Sequence, residues 1–88
     1  MNQRRLERIV KGFASHRRIQ MLELLQKSPE LSLDEIATTL QINGKTASEH
    51  VRRLAIAGLV LKRHEGNLVR HKLTTHAQRV LKFLRILE

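Results

Sequence analysis

Between Gly44 and Ala57 the chain reads GKTASEHVRRLAIA. On a helix at about 100° per residue, Ala47, His50, Val51, Leu54 and Ala57 gather on one side. Lys45, Glu49, Arg52 and Ile56 fall on the other, with Thr46, Ser48 and Arg53 at its edges. Cations, hydroxyls and a carboxylate in one stripe are the groups that meet base edges and phosphates, and the major groove of duplex DNA is wide enough to admit a helix. Alone, such a stripe is also what an ordinary solvated helix face presents. The flanks favour the groove: Gln41-Ile42-Asn43-Gly44 makes a tight turn before this helix, and a basic hairpin follows it.

No other constellation carries chemistry. The five histidines, His16, His50, His64, His71 and His76, show no His-x-x-x-His or His-x-x-Glu-His pair on one helix face, so no metal site is expected. His50 lies on the inward side and reads as a hydrogen-bonded core histidine. No nucleophile with its base, paired carboxylates or Gly-rich phosphate loop can be assembled, so neither an enzyme nor a cofactor is expected. Cysteine is absent, which excludes disulfides, thiol catalysis and Cys-ligated zinc and leaves the redox compartment open.

Seventeen Lys plus Arg stand against 8 Asp plus Glu, a formal net charge of +9 on 88 residues. So basic a surface favours a polyanionic partner, nucleic acid first and an anionic membrane surface second, although a merely soluble protein can share the composition. Tyr and Trp are absent, and Phe13 and Phe83 sit in apolar helix stripes, so no platform for stacking single-stranded bases is visible. The longest uncharged apolar run, Leu54 to Leu61, is far shorter than the roughly 20 residues of a membrane span. Met1-Asn2-Gln3-Arg4-Arg5 leads into an amphipathic segment, not an apolar signal region, so a cytoplasmic protein without membrane attachment is expected.

The elements that must position the polar stripe are legible from periodicity and punctuation. Leu6, Ile9, Val10 and Phe13 recur at helical spacing in a first helix over about 3–13, ending near Gly12. Ser15 caps a second, with Ile19, Leu22 and Leu25 inward, which Ser28-Pro29 stops. Ser32-Leu33-Asp34-Glu35 fits a capping box for a short third helix, and Asn43 caps the fourth, which Gly58 closes. Two short helices across a tight turn outline a helix-turn-helix. Over 59–73 the spacing changes: Leu59 to His64 and Leu68 to Leu73 flank the turn-forming Glu65-Gly66-Asn67, a β-hairpin with Val69, His71 and Leu73 inward and Leu68, Arg70 and Lys72 outward. Thr74 or Thr75 caps a last helix over about 75–88 with a wide apolar stripe. The expectation is a mainly α fold of about five helices with a two-stranded wing, a winged helix-turn-helix forming one domain over 1–88.

Several runs resemble the ArsR-type group of winged-helix regulators, over roughly Phe13 to Leu73. They are Arg18-Ile19-Gln20-Met21-Leu22-Glu23-Leu24-Leu25, Leu31-Ser32-Leu33-Asp34-Glu35-Ile36-Ala37 and Thr46-Ala47-Ser48-Glu49-His50-Val51-Arg52-Arg53-Leu54, followed by Ala57-Gly58-Leu59-Val60 and the wing turn His64-Glu65-Gly66-Asn67. The resemblance implies that Lys45, Thr46, Ser48, Glu49 and Arg52, beside Arg53, meet the major groove. It also implies that Arg63, His64, Asn67 and Arg70 line the wing beside the backbone. Three departures stand out. Gln41 occupies a turn position usually held by glycine, Arg70 and His71 replace aromatic residues of the second wing strand, and Ser32-Leu33 stand where a cysteine-containing metal motif is found in such regulators.

The terminal helices offer more apolar surface than a small core covers: Leu6, Ile9, Val10 and Phe13 on the first, Val80, Leu81, Phe83, Leu84 and Leu87 on the last. A second copy is the expected cover, giving a homodimer that sets two recognition helices on double-stranded DNA. Two alternatives stand beside this reading: a winged-helix module that binds only proteins, and an architectural protein that binds DNA without sequence preference.

Overall fold

The computed structural model describes residues 1–88. Along the chain the elements are α1 (Gln3–Phe13), α2 (His16–Lys27), β1 (Leu31–Ser32), α3 (Leu33–Leu40), α4 (Gly44–Ile56), β2 (Val60–Glu65), β3 (Leu68–Leu73) and α5 (Thr75–Leu87).

Each helix starts where a short polar side chain can accept from its first turn. Asn2 Oδ1 accepts from Arg5 N–H at 3.0 Å, Ser15 Oγ from Arg18 N–H at 3.4 Å and Thr74 Oγ1 from Ala77 N–H at 3.1 Å. Asn43 Oδ1 takes both Lys45 N–H and Thr46 N–H, at 2.7 and 3.4 Å. Ser32 and Glu35 close the capping box reciprocally, at 3.2 and 2.9 Å. Such caps contribute about 1 kcal/mol each, which matters most for the eight-residue α3, too short to hold itself by its own ladder. The turn between α3 and α4 is left-handed at Gln41, φ 56°, where a glycine would sit without strain. Gly66, φ 62°, takes the first central position of the hairpin turn, as type II′ geometry demands.

The sheet holds three strands in the order β1-β3-β2, all antiparallel. The hairpin is the expected wing, and β1 is an addition to it. Leu31 pairs with His71 and Ser32 with Arg70. The segment is turned onto the sheet by a left-handed Glu30, φ 67°, whose N–H donates to the His71 carbonyl at 2.9 Å. Two residues are too few to show a period, so this strand left no pattern in the sequence.

Fifteen buried residues make one hydrophobic cluster, centred on Met21, Leu22, Leu25, Ile36, Leu54 and Leu59 and reached by every helix. Along β3 the expected alternation holds at four positions, with His71 and Leu73 buried and Leu68 and Lys72 exposed, while Val69 and Arg70, expected inward and outward, are both half-buried. His71 is only 3% exposed, and its Nδ1 donates to the Leu31 carbonyl at 2.9 Å. Burial, with the charge of Lys62 across the strand, holds its pKa below the ordinary 6.5 despite that bond. The unfolded chain therefore binds a proton before the native one does, and stability falls as pH drops below about 6.5 toward the depressed native value. Urea denaturation from about pH 7 to about pH 5.5 should show this decline, at most about 1.4 kcal/mol per pH unit for one site, and His71→Gln should flatten it.

Helix α1 crosses α4 at a glycine. A Cβ on Gly12 would lie 2.3 Å from Ala57 Cβ, so nothing larger fits unless the helices part. Gly12→Ala gains helix propensity but overpacks this crossing, and a net loss of about 1–3 kcal/mol is expected from urea midpoints at unchanged slope.

The expected dimer surface is partly used up inside the chain. Phe13, Val80 and Leu81 are 7%, 9% and 3% exposed and belong to the core, because α5 packs on α2 and α1 folds back over α4. These three contribute little to a second interface. Ile9 and Leu84 are half-buried against the same cluster, while Leu6, Val10, Phe83 and Leu87 remain exposed.

Candidate nucleic-acid interface

Helix α4 buries Ala47, Val51 and Leu54 and leaves Lys45, Thr46, Ser48, Glu49, Arg52 and Arg53 exposed, the division that the helical wheel predicts. The core fixes the rotation of the helix about its axis, and the Asn43 cap with the left-handed Gln41 fixes its start.

Glu49 organises this face. Its carboxylate accepts from Arg52 Nε and Nη2 at 3.0 and 2.8 Å and from Arg53 Nε at 3.1 Å. The hydrogen bonds from Arg52 lead in lowering its pKa to about 2, so Glu49 is ionised at neutral pH. One carboxylate thus restrains two guanidinium groups, while Lys45 makes no ion pair. His50 departs from the expectation of a hydrogen-bonded core histidine. It is half-buried and its Nδ1 has no partner; burial first, then the charges of Arg18 and Arg53, lower its pKa.

In the wing, Arg63 and Arg70 stand directly opposite each other on β2 and β3, a like-charge pair that costs stability unless acids intervene. Glu65 supplies the first, accepting from Arg63 Nη1 at 3.1 Å and Arg70 Nε at 3.2 Å. Glu30 supplies the second, its carboxylate accepting from Arg63 Nε and its backbone carbonyl from Arg70 Nη1 at 3.0 Å. Arg70 is half-buried and holds the left-handed Glu30 turn to the wing, a bracing role that its position on the strand did not announce. His64 and Asn67 are exposed near the tip. Lys62 and Lys72, exposed on the wing and outside every ion pair, are cations beyond the four wing residues that the resemblance implies; of the two, only Lys72 was expected to face outward. Alternation about His71 and Leu73 places Lys72 outward, whereas Lys62 stands opposite His71 on the other face of the hairpin and is nevertheless exposed.

No group of three or more His, Cys, Asp or Glu side chains is placed to hold a metal ion, and no helix is long and apolar enough to cross a membrane.

Two short helices across a tight turn, the second with a polar outer face and followed by a β-hairpin, define a winged helix-turn-helix protein. A family model described as bacterial regulatory protein, arsR family, matches residues 15–62, more than half of the chain, and the chain belongs to that family. The fold and family are those of transcription regulators. Among solved structures, the homodimeric winged helix-turn-helix DNA-binding domain of Mb0332 from Mycobacterium bovis is 30% identical, with 94% of this chain and 77% of that one covered and a TM-score of 0.85. HlyU from Vibrio cholerae is 29% identical over 99% of this chain and 97% of its own, with a TM-score of 0.84. The transcriptional regulator HlyU from Vibrio vulnificus is 31% identical over 98% and 90%, with a TM-score of 0.79. No curated protein matches the sequence.

Proposed function

We propose that the protein is a sequence-specific regulator of transcription that binds double-stranded DNA as a homodimer, with α4 in the major groove and the β2–β3 wing on the flanking backbone. The carrying observation is the outer face of α4, where Lys45, Thr46, Ser48, Glu49, Arg52 and Arg53 stand exposed on a helix whose start and rotation are both fixed. In the wing Arg63 and Lys72 on one face, Lys62 and His64 on the other and Asn67 at the tip are the groups offered to the DNA backbone, and Arg70 braces the hairpin. Of the large apolar side chains on α4 only Ile56, 63% exposed, reaches the surface, which weighs against a module that binds proteins alone.

Residues 1–88 act as one domain, in which α1 and α5 pair with their copies across a two-fold axis. The exposed Leu6, Val10, Phe83 and Leu87 support this, and so does the homodimeric Mb0332 domain. Such a regulator works in the cytoplasm, where its DNA is.

The test is binding to duplex DNA against salt. Several phosphates neutralised per protomer release enough counterions for a log-log slope of about −4 or steeper in a dimer, and an inverted repeat selected from random duplexes should bind better than bulk DNA. A flat salt response refutes DNA binding; a steep response without any preferred sequence leaves only the architectural reading.

A further inference from the structure

The molecule has a second concentration of positive charge that the α4 face does not explain. A cavity of about 200 Å³ lies between α1, α2 and the C-terminal end of α4, lined by Arg8 and Lys11, by Arg18, and by Arg52 and Arg53. No acid lines it. The close crossing of Gly12 on Ala57 draws α1 onto α4 and so brings cations from three helices around one space. Glu49 touches Arg52 and Arg53 and Glu7 pairs with Lys11 at 3.6 Å, yet no acid reaches Arg8 or Arg18. Arg8 and Arg18 make no ion pair, and Arg18 Nε and Nη1 are buried without any acceptor.

Buried guanidinium donors without an acceptor are costly, and here further cations adjoin them. Burial and the charge of Arg53 lower the pKa of Arg18, the direction expected of a cation whose counter-ion is missing. Next to it, the half-buried His50 is shifted toward its neutral form and adds no charge of its own. A tetrahedral oxyanion brings negative charge and several lone pairs to the cations lining this space, which holds it with a few waters of about 30 Å³ each; Arg18 Nε and Nη1, closed off from solvent, turn toward the space to donate to it.

We propose that Arg8, Lys11, Arg18, Arg52 and Arg53 form a binding site for a phosphate-type oxyanion between α1, α2 and the C-terminal end of α4. The phosphoryl group has two sources, a backbone phosphate of bound DNA or a free phosphorylated small molecule. Because Arg52 and Arg53 belong both to this site and to the proposed DNA face, occupancy by either source alters how Glu49 holds them.

The probe is inorganic phosphate, titrated into the folded ¹⁵N-labelled protein against sodium chloride of equal ionic strength, with the arginine Nε–H signals followed by NMR. The signals of Arg18 and Arg53 should move together on one saturating curve with phosphate and not with chloride, while that of Arg79, on α5, stays still. Arg18→Gln should weaken the midpoint by at least about tenfold, the worth of one charge-assisted hydrogen bond. Arg8→Gln, on the exposed side of α1, provides the same comparison should Arg18→Gln fail to fold. DNA titrations separate the sources. If a backbone phosphate fills the site, phosphate competes with DNA and Arg18→Gln reduces the salt slope by about 1 per protomer. If a free ligand fills it, phosphate also saturates the protein–DNA complex and the slope is unchanged. Signals that follow phosphate and chloride alike, with an unchanged slope in the variants, overturn the proposal. The phosphate arm needs no DNA, so failure of the DNA-binding reading shows separately, as loss of duplex binding by the wild type.

Discussion

Phe83→Glu should convert the proposed dimer into a folded monomer that no longer holds an inverted repeat tightly. Phe83 is 50% exposed, and with Leu6, Ile9, Val10, Phe13 and Val80 it borders a cavity of about 280 Å³ between α1 and α5. Leu6 and Val10, 42% and 50% exposed, flank it, and Ile86 and Leu87, 76% and 65% exposed, extend the apolar surface to the end of α5. Completing the burial of one phenylalanine is worth about 1.5–3 kcal/mol, and leaving a carboxylate unpaired in its place costs several more. Both copies carry the change, so the dimer dissociation constant should rise by at least about a thousandfold. Sedimentation at micromolar concentration measures it, and circular dichroism verifies that the helices persist. Leu84 is a poorer probe, since it is half-buried against the core and its loss mixes folding with assembly. A monomeric wild type, or a Phe83→Glu protein that stays dimeric, refutes the interface. Loss of the dimer should also remove the benefit of pairing two half-sites about 34–36 Å apart, leaving binding to a single half-site unchanged.

Glu49→Gln should tighten binding to arbitrary DNA and narrow the margin for the preferred site. In the free protein Glu49 restrains Arg52 and Arg53 and places a negative charge where the phosphates of a duplex would come. With its pKa lowered to about 2 the carboxylate keeps that charge well below neutral pH, and substitution removes it. Glutamine keeps the shape and an acceptor but releases the electrostatic hold. For a dimer the affinity for random duplex at low salt should rise on the order of tenfold, with a steeper salt slope, since two more cations per protomer become free to meet phosphates. The ratio of specific to random binding should fall, because a carboxylate that repels most base edges also selects those offering a donor, such as the cytosine amino group. Binding curves for both DNAs that coincide with wild type would falsify the gating role of Glu49. The same substitution leaves the dimer constant untouched, which separates this prediction from the first.

What the chain could reveal by itself is what neighbouring residues decide. The caps Ser15, Ser32, Asn43 and Thr74 act on backbone groups two or three residues away, and each began a helix where the spacing placed it; Asn2, which caps the first helix, was not read as a cap. The polar face of α4 was legible because a helical period of 3.6 residues sorts side chains without reference to the rest of the molecule. The hairpin was legible from the Gly66 turn and the two-residue alternation of β3. The Glu49 clamp spans three and four residues on one helix, so it too lay within reach of the sequence, although only the structure shows it closed on both arginines.

Tertiary structure alone decided the rest, and the reason is distance along the chain. Strand β1 needs the edge of β3, some forty residues on, to become a strand at all, and the Arg63–Glu30 link joins residues 33 apart. An apolar stripe states that something must cover it without saying what: Phe13, Val80 and Leu81 were claimed by the core of their own chain, while Leu6, Val10, Phe83 and Leu87 stayed exposed. In the same way, the charge of Arg18 was plain in the sequence. Its burial without an acceptor, beside Arg8, Lys11, Arg52 and Arg53, arises only where Gly12 lets α1 close onto α4.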